Sequence, residues 1–238
     1  MSHTLAIAWR EFGAFYRLPV GWVVTALYLA LCAGVFTIFV LTPGQPATMR
    51  PLFALSTWLL LFVAPAISMR LLSDEYRSGS IEGLVSAPVS DWQIVIGKHL
   101  GGTLFLLGML APTLIFVVVL EVVSNPDYGP ILLGYLGMAL VGVLYLSIGT
   151  LASSLTANQT VAFLGTLFAL LLLRMATVQG AVMLDEPWSR LVSSLSVDMH
   201  MDGFAKGVLD TGDLVFFLAG SVWFIALAAI AVESRRWR

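Results

Sequence analysis

Apolar residues run almost unbroken through six stretches of the chain: Val20 to Leu41, Leu52 to Met69, Leu100 to Val119, Ile131 to Leu151, Val161 to Val182 and Leu214 to Val232. Each is closed at its ends by charged or turn-forming residues. A bilayer core about 30 Å thick takes roughly 20 residues of helix, so each stretch has the length of one crossing. Backbone groups in lipid must be satisfied internally, which leaves helices or closed barrels. Continuous rather than alternating apolar runs select helices. The pattern predicts an all-α, polytopic membrane protein with six transmembrane helices, formed by residues 1–238 as a single transmembrane domain. Pro43-Gly44 with Pro46, and Asn125-Pro126-Asp127-Tyr128-Gly129-Pro130, mark tight turns after the first and third runs.

Before the first run, Leu5, Ala8, Trp9, Phe12, Phe15 and Tyr16 recur at helical spacing with Arg10, Glu11 and Arg17 between them. Residues 1–19 therefore read as an amphipathic interfacial helix or a simple anchor, with Pro19 turning the chain into the membrane. The first apolar run is too long for the core of a signal peptide and lacks a small-residue cleavage site, so it is expected to be retained. Composition agrees: 59% of the 238 residues are hydrophobic and 11% charged, against about 25% charged in soluble domains. A net charge of -2 gives no bulk attraction to nucleic acid. The single cysteine, Cys32, provides neither a disulfide framework nor a cysteine metal site.

With the N-terminus inside, eight of the twelve basic residues face the cytoplasm: Arg10, Arg17, Arg70, Arg77, Lys98, Arg235, Arg236 and Arg238. Arg50, Arg190 and Lys206 fall outside, and Arg174 lies within the fifth run. The positive-inside rule then puts both termini in the cytoplasm.

The connection over residues 70–99 is the most distinctive segment. A short helix starts near Ser80, carries Glu82 in its first turn and must stop before Pro88. Ser90 and Gln93 form an S-x-x-Q capping box for the helix leading into the third run. The product is a short helix offered to the cytoplasm between two spans, a docking knob rather than a plain polar loop.

In this segment the sequence resembles the membrane subunits of type-2 ABC transporters (ABC-2 permeases). The resemblance rests on Glu75, Arg77, Gly79, Ser80, Glu82, Leu84, Pro88, Gly97 and Lys98, with serine in place of the usual threonine at position 80. It implies an ABC-2 (type V exporter-like) transmembrane domain whose 70–99 loop is the coupling helix received by a separate ATP-binding subunit. Around the last outer loop, Ser196, His200, Phe204, Gly207, Asp210, Asp213 and Phe217 resemble the branch that contains the gliding-motility permease GldF and the nitrous-oxide-reductase maturation permease NosY. Two positions depart from that pattern: Met201 stands where an aromatic is usual, and Lys206 where arginine is frequent.

Taken by itself, the outer loop over 183–213 carries Asp185, Glu186, Asp198, Asp202, Asp210 and Asp213 against Arg190 and Lys206, and is acidic. Pro187 followed by Trp188, Leu191, Val192 and Leu195 predicts a half-buried helix at the outer interface. It could cap a pathway, bind an extracytoplasmic auxiliary subunit, or form a structural lid. One histidine with scattered carboxylates lacks ligand spacing, so no metal site is expected. Arg174, inside the fifth run, costs roughly 2.5 to 3.5 kcal/mol on insertion scales and must pair, snorkel or face the interior; by depth Glu121 is its expected carboxylate, in a pathway contact or an ion pair. Gly134, Gly137, Gly142 and Gly149 in the fourth run allow close helix packing. Asn158-Gln159-Thr160 matches a glycosylation acceptor by chance, in a cytoplasmic turn.

Three functions compete. An intramembrane protease would need Gly-x-Ser-x-Gly, His-Glu-x-x-His or paired intramembrane aspartates, and none occurs. No catalytic residue is expected, and no phosphate loop is present, because Gly97-Lys98 has Trp92 where the first glycine belongs and His99 after the lysine. The leading reading is a permease subunit of the bacterial inner (plasma) membrane. It moves cargo, as an exporter, with ATP and Mg held by a partner ABC ATPase, and pairs with a second permease as a homodimer or a related heterodimer. The alternative is the membrane component of an ATP-driven mechanical or assembly complex that relays motion to outer partners.

Overall fold

The structure, a computed structural model, describes residues 3–42, 47–79 and 89–235. Every regular element among them is helical, and six helices are long and apolar enough to cross a membrane: Pro19–Val40, Arg50–Ser78, Asp91–Val123, Tyr128–Leu155, Gln159–Met183 and Thr211–Arg235. The six expected crossings are all present, extended at several ends by an extra turn or more. The third begins nine residues before its apolar run because the capping box forms: the Ser90 hydroxyl accepts from the Gln93 amide at 3.3 Å, and the Gln93 side chain accepts from the Ser90 amide at 3.1 Å. Ser80, Glu82, Leu84 and Pro88, on which the predicted coupling helix falls, lie outside the described residues.

The fourth span is the centre of the bundle, packed on the second, third, fifth and sixth spans and on the outer helix Val197–Ala205. Glycines make that possible. A Cβ at Gly134 would overlap the Phe53 ring, one at Gly149 would overlap Ser68, and one at Gly142 would lie 2.6 Å from Leu106. Without a hydrophobic drive between helices in lipid, such close backbone approach is where dispersion contacts are gained. The third span is broken at Pro112 into a single 3-10 turn, Ala111–Thr113. Proline cannot donate there, and side chains mend the break: the Thr113 hydroxyl donates to the Leu110 carbonyl at 2.6 Å and the Tyr135 hydroxyl to the Thr113 carbonyl at 2.9 Å.

The N-terminal helix, His3–Arg17, lies along the third span rather than only on the interface. A second glycine row accommodates it. Cβ atoms at Gly97, Gly101 and Gly108 would come within 2.9 Å of Ile7, 2.5 Å of Glu11 and 2.6 Å of the Tyr16 hydroxyl. Ile7, Ala8 and Phe15 are buried in this groove, while Leu5 and Trp9, expected on the same apolar face, point outward. The turn into the membrane is as tight as Pro19 predicts, with Gly21 against the Phe15 carbonyl.

Glycine packing at the fourth span predicts that Gly149→Leu destabilises the bundle by about 1–3 kcal/mol or more. Gly165→Leu, where an added Cβ meets nothing within 4 Å, leaves thermal stability in detergent unchanged.

Candidate functional site

The residues flanking the 80–88 loop converge on one cluster of four charges. The second span ends in a turn at 69–72 followed by the short helix Ser73–Ser78, which Gly79 terminates in the left-handed conformation at φ 71°. The Ser153 hydroxyl of the fourth span holds that turn, accepting from the Leu72 and Ser73 amides at 3.1 and 3.0 Å. Glu75 on the short helix thereby faces Lys98 on the third span. The Lys98 ammonium lies 2.8 Å from Glu75 Oε1 and 3.1 Å from Glu11 Oε1. Arg10 closes the ring at 3.1 Å from each of the same two oxygens.

Burial decides what this ring is worth. Lys98 is 1% exposed, Glu75 12% and Glu11 16%, whereas Arg10 is 53% exposed. A desolvated ammonium of this kind persists only with carboxylates around it, and removal of a partner leaves a buried charge uncompensated. Charges sum to zero across the four side chains. Around them, Arg70 pairs with Asp74 at 3.5 Å, and the Gln159 amide donates to Asp74, linking the base of the loop to the start of the fifth span. A cleft of about 340 Å³ opens among Glu11, Phe15, Arg70, Asp74, Glu75 and Lys98. Beyond it Arg77, Ser78 and Gly79 are exposed.

Of the nine residues singled out for coupling, the structure joins Glu75 and Lys98 in direct contact, places Arg77 and Gly79 at the mouth of the loop, and gives Gly97 the task of admitting the N-terminal helix. Glu11 and Arg10 were not singled out. In the sequence they are two charges between apolar residues of an amphipathic helix, a pattern that reads as its wet face.

At the opposite end of the bundle, Arg174 has a different partner from the one depth suggested. Its Nη2 lies 2.8 Å from Asp198 Oδ1, and its guanidinium stacks 3.8 Å over the Trp58 ring. Glu121 sits instead on an exposed position beside Tyr128. Depth matching ignored lateral order: the fifth span packs chiefly on the second and fourth, the third span chiefly on the N-terminal helix, fourth and sixth. Burial pushes the Asp198 carboxyl up from its ordinary value, and the Arg174 guanidinium opposes the shift.

The outer-lid residues form a clasp. His200 places Nδ1 2.6 Å from Asp213 and Nε2 2.9 Å from the Ser194 carbonyl, with its ring stacked on Phe216. Phe204 is fully buried against Gly137 and Phe217, and Gly207, at φ 82°, turns the chain past Pro130. Asp210 accepts from the Gly212 amide at the start of the sixth span, at 2.8 Å. The helix Trp188–Ser193 differs in part from expectation: of its apolar stripe only Val192 is half-buried, and Trp188, Leu191 and Leu195 are exposed. Among the described residues no three histidine, cysteine or carboxylate side chains gather as a metal site.

Two polar clusters thus stand at opposite ends of six apolar spans. A model of the ABC-2 family transporter proteins matches residues 5–233, nearly the whole chain. The chain belongs to the ABC-2 transporter family. No curated protein matches it. The matched range takes in the N-terminal helix, so Glu11 and Arg10 fall inside the ABC-2 region together with Glu75 and Lys98.

Lys98→Met is expected to lower stability by about 3 kcal/mol, because Glu11 and Glu75 lose their shared buried cation. Adding Glu75→Gln should recover part of the loss. Thermal unfolding of the four members of this double-mutant cycle measures the coupling, and strict additivity would mean that the two side chains do not interact.

Proposed function

We propose that this chain is the membrane-spanning permease subunit of an ABC exporter in the bacterial inner membrane, driven by ATP hydrolysed in a separate subunit. The observation that carries the reading is the Glu11–Glu75–Lys98–Arg10 ring, built around the buried Lys98 by elements that include those leading into and out of residues 80–88. ATP and Mg belong to the partner ABC ATPase, since this sequence has no phosphate loop of its own. The loop side is cytoplasmic, as the excess of lysine and arginine there supports. A second permease, identical or related, supplies the other half of the transporter.

Displacement of the loop enters the bundle at two points, through Gly79 into the short helix and through Ser90 into the third span. Both lead to the ion ring. Because Lys98 is bonded to the short helix and to the N-terminal helix together, neither element moves without the other. ATP-driven approach of two ATPases thereby becomes a rigid-body tilt of the base of the bundle, which requires the two conformations to differ in affinity for ATP. The His200–Asp213 clasp and the Phe204, Gly207 and Asp210 positions support a GldF/NosY-like assignment, and the exposed Trp188, Leu191 and Leu195 stripe supports contact with an auxiliary subunit or the outer interface.

Co-purification with a candidate ABC ATPase, and ATPase activity in the reconstituted complex, test the coupling. Arg77→Ala and Gly79→Val should weaken association. Arg10→Gln should leave association intact and lower coupled ATPase activity several-fold. Unaltered association and coupling in all three would contradict the proposal.

A further inference from the structure

The outer end of the bundle contains a cavity that the coupling reading does not use. It has a volume of about 240 Å³ and lies between the second and fifth spans and the helix Val197–Ala205, with Arg50, Trp58, Arg174, Asp198 and Asp202 on its walls. Two arginines and two aspartates balance on those walls, but Asp202 is also paired from outside the cavity. Asp198 is taken by Arg174, and Asp202 by Lys206. Arg50 donates Nε to the Ala205 carbonyl at 3.3 Å and forms no ion pair among the described residues. Arg50 is therefore left without a carboxylate, and with Lys206 counted the group carries one positive charge in excess. In addition Arg174 Nη1 is buried without a hydrogen-bond partner, and an unmet donor at that depth is costly unless an acceptor arrives.

We infer that this cavity binds the singly charged acidic headgroup of a membrane amphiphile, a phosphodiester or an equivalent acid, with its oxygens on Arg50 and Arg174. Guanidinium groups suit such an acid because their planar donors match paired oxygens. The chain attached to the headgroup has an apolar path. Trp58 on the wall is itself exposed, and Phe62 on the second span with Leu172 and Met175 on the fifth continue an exposed apolar face away from it. An anion free in water has no use for that face, so the occupant is an amphiphile rather than a soluble phosphate.

The site is independent of the ion ring at the other end, and its test needs no ATP, so it stands or falls separately from the proposed coupling. The full-length chain in phosphatidylcholine nanodiscs doped with phosphatidylglycerol is released for native mass spectrometry, and retained lipid is counted. Phosphatidylglycerol should be retained in preference to phosphatidylcholine. Arg50→Gln, a change at an exposed position, should cut that preference about tenfold, and Arg174→Gln should do the same; Arg190→Gln, on the same side but outside the cavity, should not. Equal retention by the wild type and Arg50→Gln would overturn the inference, as would an equal loss in Arg190→Gln, which marks non-specific charge attraction. Inorganic phosphate displacing phosphatidylglycerol at comparable concentration would overturn the amphiphile assignment in favour of a free anion.

Discussion

Burial of the Lys98 ammonium is the constraint on which the end of this molecule nearest the N-terminal helix depends. A lysine at 1% exposure is unstable in a helical bundle unless carboxylates are brought to it, and here they come from two separate elements. Glu75 arrives because the chain turns after the second span and is pinned by Ser153. Glu11 arrives because Gly97 and Gly101 let the N-terminal helix approach the third span at backbone distance. Each feature has a function only in the presence of the others. The Gly97-Lys98 pair is thus a packing residue followed by a charge, one admitting the helix that supplies half of the other's compensation.

The outer end applies the same physics with a different outcome. Arg174 is also a cation within a span, and its compensation is likewise delivered by a neighbouring element, the helix Val197–Ala205 that carries Asp198. The ring under Lys98 is neutral and shared among three elements, which suits transmission of a displacement. The cavity beside Arg174 has an arginine without a carboxylate partner and an unmet donor, which suits reception of a ligand. His200 and Asp213 hold that helix to the sixth span, so the wall of the cavity and the clasp are parts of one lid.

Six spans, their approximate limits and the capping box at Ser90 were legible in the sequence because each depends on local pattern: apolar length, or a side chain three residues from the amide it serves. The glycines of the fourth span were legible as close-packing positions for the same reason. Pairings between elements were not. Glu121 has the right depth for Arg174 but sits on a span whose main packing is not with the fifth, and lateral order in a bundle depends on which glycines face which side chains, a property of the folded whole. Glu11 was overlooked for a related reason. On an amphipathic helix a charge between apolar residues reads as the wet face, and only the glycine groove of the third span shows that this face is turned inward. The apolar stripe of Trp188, Leu191 and Leu195 shows the converse, since helical spacing establishes that residues share a face without establishing what covers it.

The central claim is that the ion ring binds the N-terminal helix and the start of the third span into one rigid body. Spin labels at Trp9 and Leu104, both exposed, measure it by pulsed dipolar spectroscopy in the reconstituted complex with and without ATP. A narrow distance distribution that ATP leaves unchanged, and that broadens when Lys98 is replaced by methionine, is the predicted result. A shift of that distance on ATP binding with Lys98 intact would contradict the account.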